Sequence, residues 1–228
     1  MTILRRLIFG EVFHTGDLDD QTRELITVVV LAANQMLSQL AAHTSAALNV
    51  GVTPVEVREA VYQCAPFIGF PATLNAMATV NDVFRDRGIE LPLPSQATVG
   101  EDDRCDQGRA IQFPIYGDEM RDDLAALPDG LGDEVARFLT ELCFGDLSTR
   151  TGLDLARREL LVLCLLATLG GTDAQLRAHA LGNINVGGDR RGRSGRSSTA
   201  SRTSAFPAPS TSSASSRVRR AVVCESWS

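Results

Sequence analysis

The sequence contains no lysine, little tryptophan or tyrosine, and no uninterrupted apolar run of the roughly 18 residues that a membrane-spanning helix needs. All 22 basic residues are arginine. The first 13 residues lack the apolar core and small-residue cleavage site of a secretory signal peptide. These absences predict a cytoplasmic protein without membrane association.

Cysteine is present but never in a metal-binding or redox spacing. The sequence has no Cys-x-x-Cys and no zinc-ligand pattern among its five cysteines: Cys64, Cys105, Cys143, Cys164 and Cys224. We therefore predict no metal and no cofactor. Unpaired thiols in a reducing compartment are mostly buried, and we expect that here.

Charge is unevenly distributed along the chain. The formal net charge is −6, yet the segment from Arg190 onward carries eight arginines and only one acidic residue, Glu225. The rest of the chain is therefore strongly acidic, which argues against nucleic acid as its main partner.

The sequence also repeats itself. The first copy reads Phe9-Gly10-Glu11, Arg23-Glu24-Leu25, Gln39-Leu40-Ala41-Ala42-His43 and Asn49-Val50-Gly51. The second copy reads Phe144-Gly145-Asp146, Arg158-Glu159-Leu160, Gln175-Leu176-Arg177-Ala178-His179 and Asn185-Val186-Gly187. Spacings that agree to within one residue predict two copies of one supersecondary unit.

The hydrophobic pattern of the first copy is helical, and no segment has a convincing strand pattern. A nearly all-apolar run over 23–34 predicts a buried helix, and a second helix is expected over about 37–48. Residues 53–56, Thr-Pro-Val-Glu, form a capping-box helix start. That helix should end near 68–69, and Pro71 should open another. The predicted fold class is all-α, with two tandem helical repeats of which the second is incomplete.

The composition divides the chain into four parts. We predict a first repeat over 1–88, a connector over 89–133, a partial second repeat over 134–189 and an Arg/Ser-rich tail over 190–228. The acidic connector should be exposed, with a short helix around 117–127. The second repeat should have its buried helix at about 158–169.

The tail replaces the part of the second repeat that would match residues 53–71. Its composition cannot bury enough apolar area to order itself. Read one base back, the codons for 200–207 permit Cys-Leu-Pro-His-Ile-Gly-Phe-Pro, close to the segment at 64–71. We therefore interpret the tail as a frameshift product, which resequencing across the Arg190 codon would test. The alternative is a flexible arginine-rich arm.

Three polar residues recur in both copies, and they form the candidate site. They are Glu24, Gln39 and His43 in the first copy and Glu159, Gln175 and His179 in the second. Two antiparallel helices would bring the glutamate against the histidine. A carboxylate beside an imidazole fixes the tautomer of the ring, and such a pair can act as a general acid or proton relay. The alternative is a helix-start charge and a histidine satisfied within a helix seam.

These motifs resemble the carboxymuconolactone decarboxylase family and its alkylhydroperoxidase D-like relatives. The resemblance rests on Arg-Glu-Leu, the Ala-His helix end, Asn-x-Gly-x-Thr-Pro-x-Glu, and Gly-Phe-Pro-x-x-Leu-Asn-Ala. It covers residues 3–87 fully and 134–189 in part. It implies an all-α fold of helical hairpins assembled as a homo-oligomer, a trimer or hexamer.

The family has two activities. The decarboxylase branch needs no cofactor, and the resemblance implies that His43 would protonate carbon, that Glu24 would orient it, and that Arg23 could bind a substrate carboxylate. Arg23 could equally be an exposed surface charge. This branch predicts a carboxy-lyase acting on a small carboxylated lactone.

The peroxidase branch uses a Cys-x-x-Cys ahead of the histidine. This sequence departs from it, with Met36 and Gln39 at those positions in the first copy and Thr172 and Gln175 in the second. Without a thiolate there, the dithiol cycle cannot run at those positions. Cys64 remains as the redox candidate for a thiol peroxidase, although a buried helix-end thiol is an alternative. A non-catalytic helical assembly module is a third reading.

A truncated second repeat should leave apolar helix faces uncovered. We expect 160–169 and 176–184 to be exposed and to drive association.

Overall fold

The computed structural model describes residues 18–118 and 127–187, together with the isolated positions 3, 6, 11, 16, 121, 124 and 125. The tail over 190–228, and Phe9 and Gly10 of the first motif, lie outside the described residues. Throughout the described ranges the secondary structure is helical, with no strand, so the predicted all-α class is confirmed. None of the described helices is long and apolar enough to cross a lipid bilayer.

The described chain forms eight α-helices, a 3₁₀ turn and one π-helical segment. The first four helices are α1 (Asp20–Ala33), α2 (Leu37–Asn49), α3 (Pro54–Tyr62) and α4 (Ala65–Asp86). The next two are α5 (Arg104–Tyr116) and α6 (Leu131–Phe138), which follows the 3₁₀ turn Pro128–Gly130. The π-helical segment (Leu139–Ser148), α7 (Leu155–Leu169) and α8 (Asp173–Gly187) complete the described chain.

The helix starts follow from capping residues in the sequence. The side chain of Asp19 accepts a hydrogen bond from the Thr22 backbone at 2.7 Å, which satisfies one orphan N–H of α1. Asp154 caps α7 in the same way through Arg157. At α3 the predicted capping box is present, because Thr53 and Glu56 each bond the backbone N–H of the other.

One helix boundary differs from the prediction. The helix that starts at Pro54 ends at Tyr62 rather than near Ile68–Gly69, and α4 then begins at Ala65. The predicted break at Gly69 is present as a kink inside α4, where Gly69 has φ 78°. A positive φ is readily adopted by glycine, and Pro71 has no N–H to donate to the preceding turn.

The core lies where α1 packs against α7. α1 is buried nearly all round, because it is also covered by α2, α3 and α4. Most residues of α7 are buried as well. The expectation that residues 160–169 would be exposed is therefore wrong for most of α7: Leu161, Leu165 and Leu166 are buried in the same core as Leu25. The outer part of α8 does remain exposed, with Leu181 at 62% and Ile184 at 66%.

Four charged side chains lie at the junction between α3 and the start of α7, and we call them the junction cluster: Arg58, Glu59, Arg150 and Arg158. Glu59 Oε2 accepts from Arg150 Nε at 2.7 Å and from Arg158 Nη2 at 3.3 Å, and Oε1 accepts from Arg58 Nη2 at 3.1 Å. Glu59 is 0% and Arg158 1% exposed. Burial raises the pKa of Glu59, but the hydrogen bonds and charges of Arg150 and Arg158 outweigh it and hold that pKa below its ordinary value.

The connector contains a helix that the sequence analysis did not predict. α5 packs closely against the π-helical segment, because glycines lie at the crossing. A Cβ at Gly108 would lie 2.4 Å from the Thr140 carbonyl oxygen, and one at Gly145 would lie 2.3 Å from the Arg104 carbonyl oxygen. This close crossing brings the C-terminal end of α5, with Tyr116, to the pair of helices formed by α7 and α8. Within the range 117–127, where a short helix was expected, residues 119, 120, 122, 123 and 126 lie outside the described residues.

Candidate functional site

The first glutamate–histidine pair joins α1 to α2. Glu24 is buried in the first half of α1, and its Oε2 lies 2.9 Å from Nδ1 of His43, which confirms the predicted contact. Since a carboxylate only accepts, the contact assigns the proton of the neutral ring to Nδ1. Nε2 is then the ring nitrogen left for another molecule, and the His43 side chain is 36% exposed.

Gln39 and Arg23, the two other predicted site residues of the first copy, differ in their exposure to solvent. Gln39 is exposed on α2, one turn before His43. Arg23 is only 7% exposed, and its Nε donates to the Leu18 carbonyl at 3.2 Å. The alternative that Arg23 is an exposed surface charge is therefore wrong. Its role in binding a substrate carboxylate stays a prediction.

The second pair joins α7 to α8 with the same geometry. Glu159 Oε2 lies 2.9 Å from Nδ1 of His179, which confirms the second predicted contact. Both side chains are more buried than in the first pair, with His179 at 17% exposure. Gln175 lies one turn earlier on α8 and lines the cavity described below.

A third residue, Tyr116, joins the second pair. The Tyr116 hydroxyl donates to Glu159 Oε2 at 2.5 Å and lies 2.7 Å from His179 Nδ1. One proton arrangement satisfies all three contacts: Tyr116 donates to the carboxylate, and the Nδ1–H of His179 is shared between the carboxylate and the phenol oxygen. Burial and the Glu159 carboxylate raise the pKa of Tyr116 well above its ordinary value, so the phenol keeps its proton at neutral pH.

The second pair lies in a cavity of about 1000 Å³. Its walls come from distant parts of the chain. Gln63 and Phe67 come from α3–α4, Phe113 and Tyr116 from α5, and Cys143 and Phe144 from the π-helical segment. Phe67 and Tyr116 both contact the His179 ring edge to face, with ring centroids 5.9 and 5.4 Å apart. Cavities of this kind and size are typical of small-molecule sites.

The N-terminal third of the chain is similar to known proteins. Residues 1–82 match the model of the carboxymuconolactone decarboxylase family. The 4-carboxymuconolactone decarboxylase of Acinetobacter baylyi is 37% identical over 86 residues, which are 38% of this chain and 64% of that protein. The nitrosuccinic acid decarboxylase npaB of Metarhizium robertsii is 36% identical over 84 residues, 35% of this chain and 58% of that protein.

Over residues 1–82 the chain is therefore similar to the carboxymuconolactone decarboxylase family. This region contains Glu24 and His43. The matched segments span about three-fifths of the length of these curated relatives. The interpretation of residues 134–189 as a second copy of the family unit stays a prediction.

Cys64, the proposed nucleophile of the peroxidase alternative, is not placed for that chemistry. Its thiol is 0% exposed and donates to the Ala60 carbonyl at 3.4 Å. Burial raises the pKa of Cys64 to about 12, so the reactive thiolate is scarce at neutral pH. The position supports the alternative of a buried thiol just before α4, and it argues against a peroxidase of this family that depends on Cys64.

The contacts of Tyr116 and Phe67 with the His179 ring, and the place of Cys143 in the wall of the same cavity, were not predicted from the sequence. Tyr116 lies 63 residues before His179 and belongs to neither copy of the repeat. One signal was available, since Tyr116 is one of only two tyrosines in the chain. That signal does not show which helix end the tyrosine would meet.

Proposed function

We propose that the protein is a carboxy-lyase that removes carbon dioxide from a small carboxylated molecule and that the Glu24–His43 pair supplies the proton. The observation that carries the proposal is the 2.9 Å contact between Glu24 Oε2 and His43 Nδ1 inside the region that matches the family. The two named relatives support it, since the name of each describes a decarboxylase.

The chemistry fits substrates that carry their own electron acceptor, such as a lactone or a nitro group. The bond between the carboxylate carbon and its neighbour breaks, carbon dioxide leaves, and the electron pair moves into the acceptor group of the substrate. The protonated Nε2 of His43 then delivers a proton to the resulting carbon, and the neutral ring takes a proton back from water. Glu24 holds the ring in one orientation and stabilises it while it is charged.

The test uses the full chain with 4-carboxymuconolactone and with nitrosuccinate, with substrate loss followed by ultraviolet absorbance. We expect turnover of at least one, and His43→Gln should reduce kcat/KM by about 100-fold or more if the ring is the general acid. Circular dichroism and urea unfolding establish that the variant is folded. The same variant at the second pair, His179→Gln, locates the chemistry.

Three outcomes would contradict the proposal. Turnover lost in His179→Gln but retained in His43→Gln would move the chemistry to the second pair. Thiol-dependent consumption of hydroperoxide that Cys64→Ser abolishes would support the peroxidase. Turnover of neither substrate together with no peroxidase activity would support the non-catalytic assembly module.

A further inference from the structure

We propose that the cavity beside Tyr116 and His179 is a second ligand site, and that it takes an uncharged aromatic molecule carrying a hydroxyl group. This inference is independent of the decarboxylase proposal, which concerns the first pair and a carboxylated substrate. It rests on the lining of the cavity, on the placement of Tyr116 and on a difference between the two helix pairs.

The lining of the cavity favours an aromatic ligand. Four aromatic side chains from three different elements border it, which are Phe67, Phe113, Tyr116 and Phe144. Tyr116 and Phe144 are themselves in edge-to-face contact, with centroids 5.6 Å apart. Aromatic rings bind other rings in such offset and edge-to-face arrangements. A volume of about 1000 Å³ leaves room for more than one ring.

The charges at the cavity disfavour a carboxylate. The only acidic side chains among the described lining residues are Glu159 and Asp118, and that described lining contains no arginine. Asp118 is paired with Arg109 at 3.1 Å, so Glu159 supplies the like charge that a ligand carboxylate would meet, and no arginine lines the described part of the cavity to neutralise that carboxylate. The carboxylated substrates proposed for the first pair are therefore the wrong class for this cavity.

On the His179 ring, one hydrogen-bonding atom remains for the ligand. Glu159 and Tyr116 occupy Nδ1 of His179, so Nε2 is the ring nitrogen left to meet a bound molecule. With the proton assigned to Nδ1, Nε2 of the neutral ring is an acceptor. It can accept a hydrogen bond from a hydroxyl group on the ligand.

The position of Tyr116 requires a glycine that the first helix pair lacks. Gly182 lies three residues after His179, and a Cβ there would lie 2.6 Å from the Tyr116 hydroxyl oxygen. The residue three after His43 is Ala46. A tyrosine placed against α2 as Tyr116 is placed against α8 would therefore collide with a methyl group. The second pair therefore has space for the phenol ring of Tyr116, whereas the first pair has no space for a tyrosine in the same place.

The test measures binding of 2-naphthol to the full chain at pH 7 by naphthol fluorescence, with equilibrium dialysis as the second method. Two matched probes are naphthalene, which lacks the hydroxyl, and 6-hydroxy-2-naphthoate, which adds a carboxylate. We expect 2-naphthol to bind, naphthalene to bind about 5-fold more weakly for the loss of one hydrogen bond, and the naphthoate to bind at least about 10-fold more weakly.

Two alanine variants give a matched control. Ala178 is exposed, lines the cavity and immediately precedes His179, whereas the exposed Ala42 immediately precedes His43. Ala178→Trp should fill the mouth of the cavity and weaken 2-naphthol binding about 10-fold or more, and Ala42→Trp should leave it unchanged. Because both positions are exposed, both variants are expected to fold.

Any of three results would overturn the inference. These are no binding of 2-naphthol up to millimolar concentration, binding of the naphthoate as tight as that of 2-naphthol, or an equal effect of the two tryptophan variants. None of these results bears on decarboxylase turnover, so the two proposals fail separately.

Discussion

Replacing Glu59 by glutamine should destabilise the protein more than any other single charge-neutralising change at the junction cluster. Glu59 is the only acid among the four cluster residues, and it accepts hydrogen bonds from Arg58, Arg150 and Arg158. Glutamine has nearly the same shape but no charge, so the buried Arg158 would lose its counter-charge. Removing one partner of a buried ion pair typically costs about 3–5 kcal/mol of unfolding free energy.

The matched control is Glu56→Gln. Glu56 lies one turn earlier on α3 and pairs with Arg157 at 2.9 Å, but that pair is partly exposed. Partly exposed pairs contribute about 1 kcal/mol or less. In urea, with an m-value of about 2 kcal/mol/M, a loss of about 3 kcal/mol at Glu59 lowers the unfolding midpoint by about 1.5 M. The control should lower it by less than about 0.5 M.

The same cluster predicts an acid limit. Because the pKa of Glu59 is lower in the folded protein than its ordinary value of 4.5, the unfolded state binds the proton more readily. The stability contributed by Glu59 is then fully present above about pH 5 and declines as the pH falls through the folded pKa. Glu59→Gln should remove this part of the pH dependence.

Equal midpoint shifts for Glu59→Gln and Glu56→Gln in urea at pH 7 would refute the reasoning, since they would show that the junction cluster contributes no more than a partly exposed pair.

Three further predictions concern other parts of the molecule. With iodoacetamide at pH 7, the exposed Cys105 should be alkylated within minutes and the buried Cys64 only after unfolding, as measured by peptide mass spectrometry; fast labelling of Cys64 would show that its thiol is accessible. Thr53→Ala should lower the unfolding free energy by about 1 kcal/mol through loss of the α3 capping box, and an unchanged urea midpoint would contradict this. Because Leu181 and Ile184 are exposed, light scattering should show an oligomer that Leu181→Glu with Ile184→Glu weakens, and a monomeric parent protein would disprove the expectation.

Local features of the fold were predictable because they depend on neighbours in the sequence. The capping residue Thr53 with Glu56 specifies a helix start within four residues, and the structure has it. The contact between Glu24 and His43 was also predictable, since two consecutive helices joined by a short turn must pack side by side. Its recurrence at Glu159 and His179 followed from the same spacing.

The relations between distant helices were not predictable. Nothing in the apolar run of α7 indicates that α1 covers it, so that face was wrongly expected to be exposed. Arg150 meets Glu59 from 91 residues away, and Tyr116 meets His179 from 63. Both contacts depend on how whole helices cross, and a crossing is decided by packing between elements rather than by any local motif.

The lining of the cavity by Gln63 and Phe67 has a consequence for the chain as a whole. These side chains come from residues 1–82, the region that matches the family, whereas His179 lies outside that region. A molecule that binds only when both walls are in place stabilises the assembled form, by about 2.7 kcal/mol at one hundred times its dissociation constant. Binding of a molecule in the cavity and packing of residues 1–82 against the rest of the chain are thus linked equilibria. A change at Phe67 that improves packing within residues 1–82 would at the same time alter which molecules can bind beside His179.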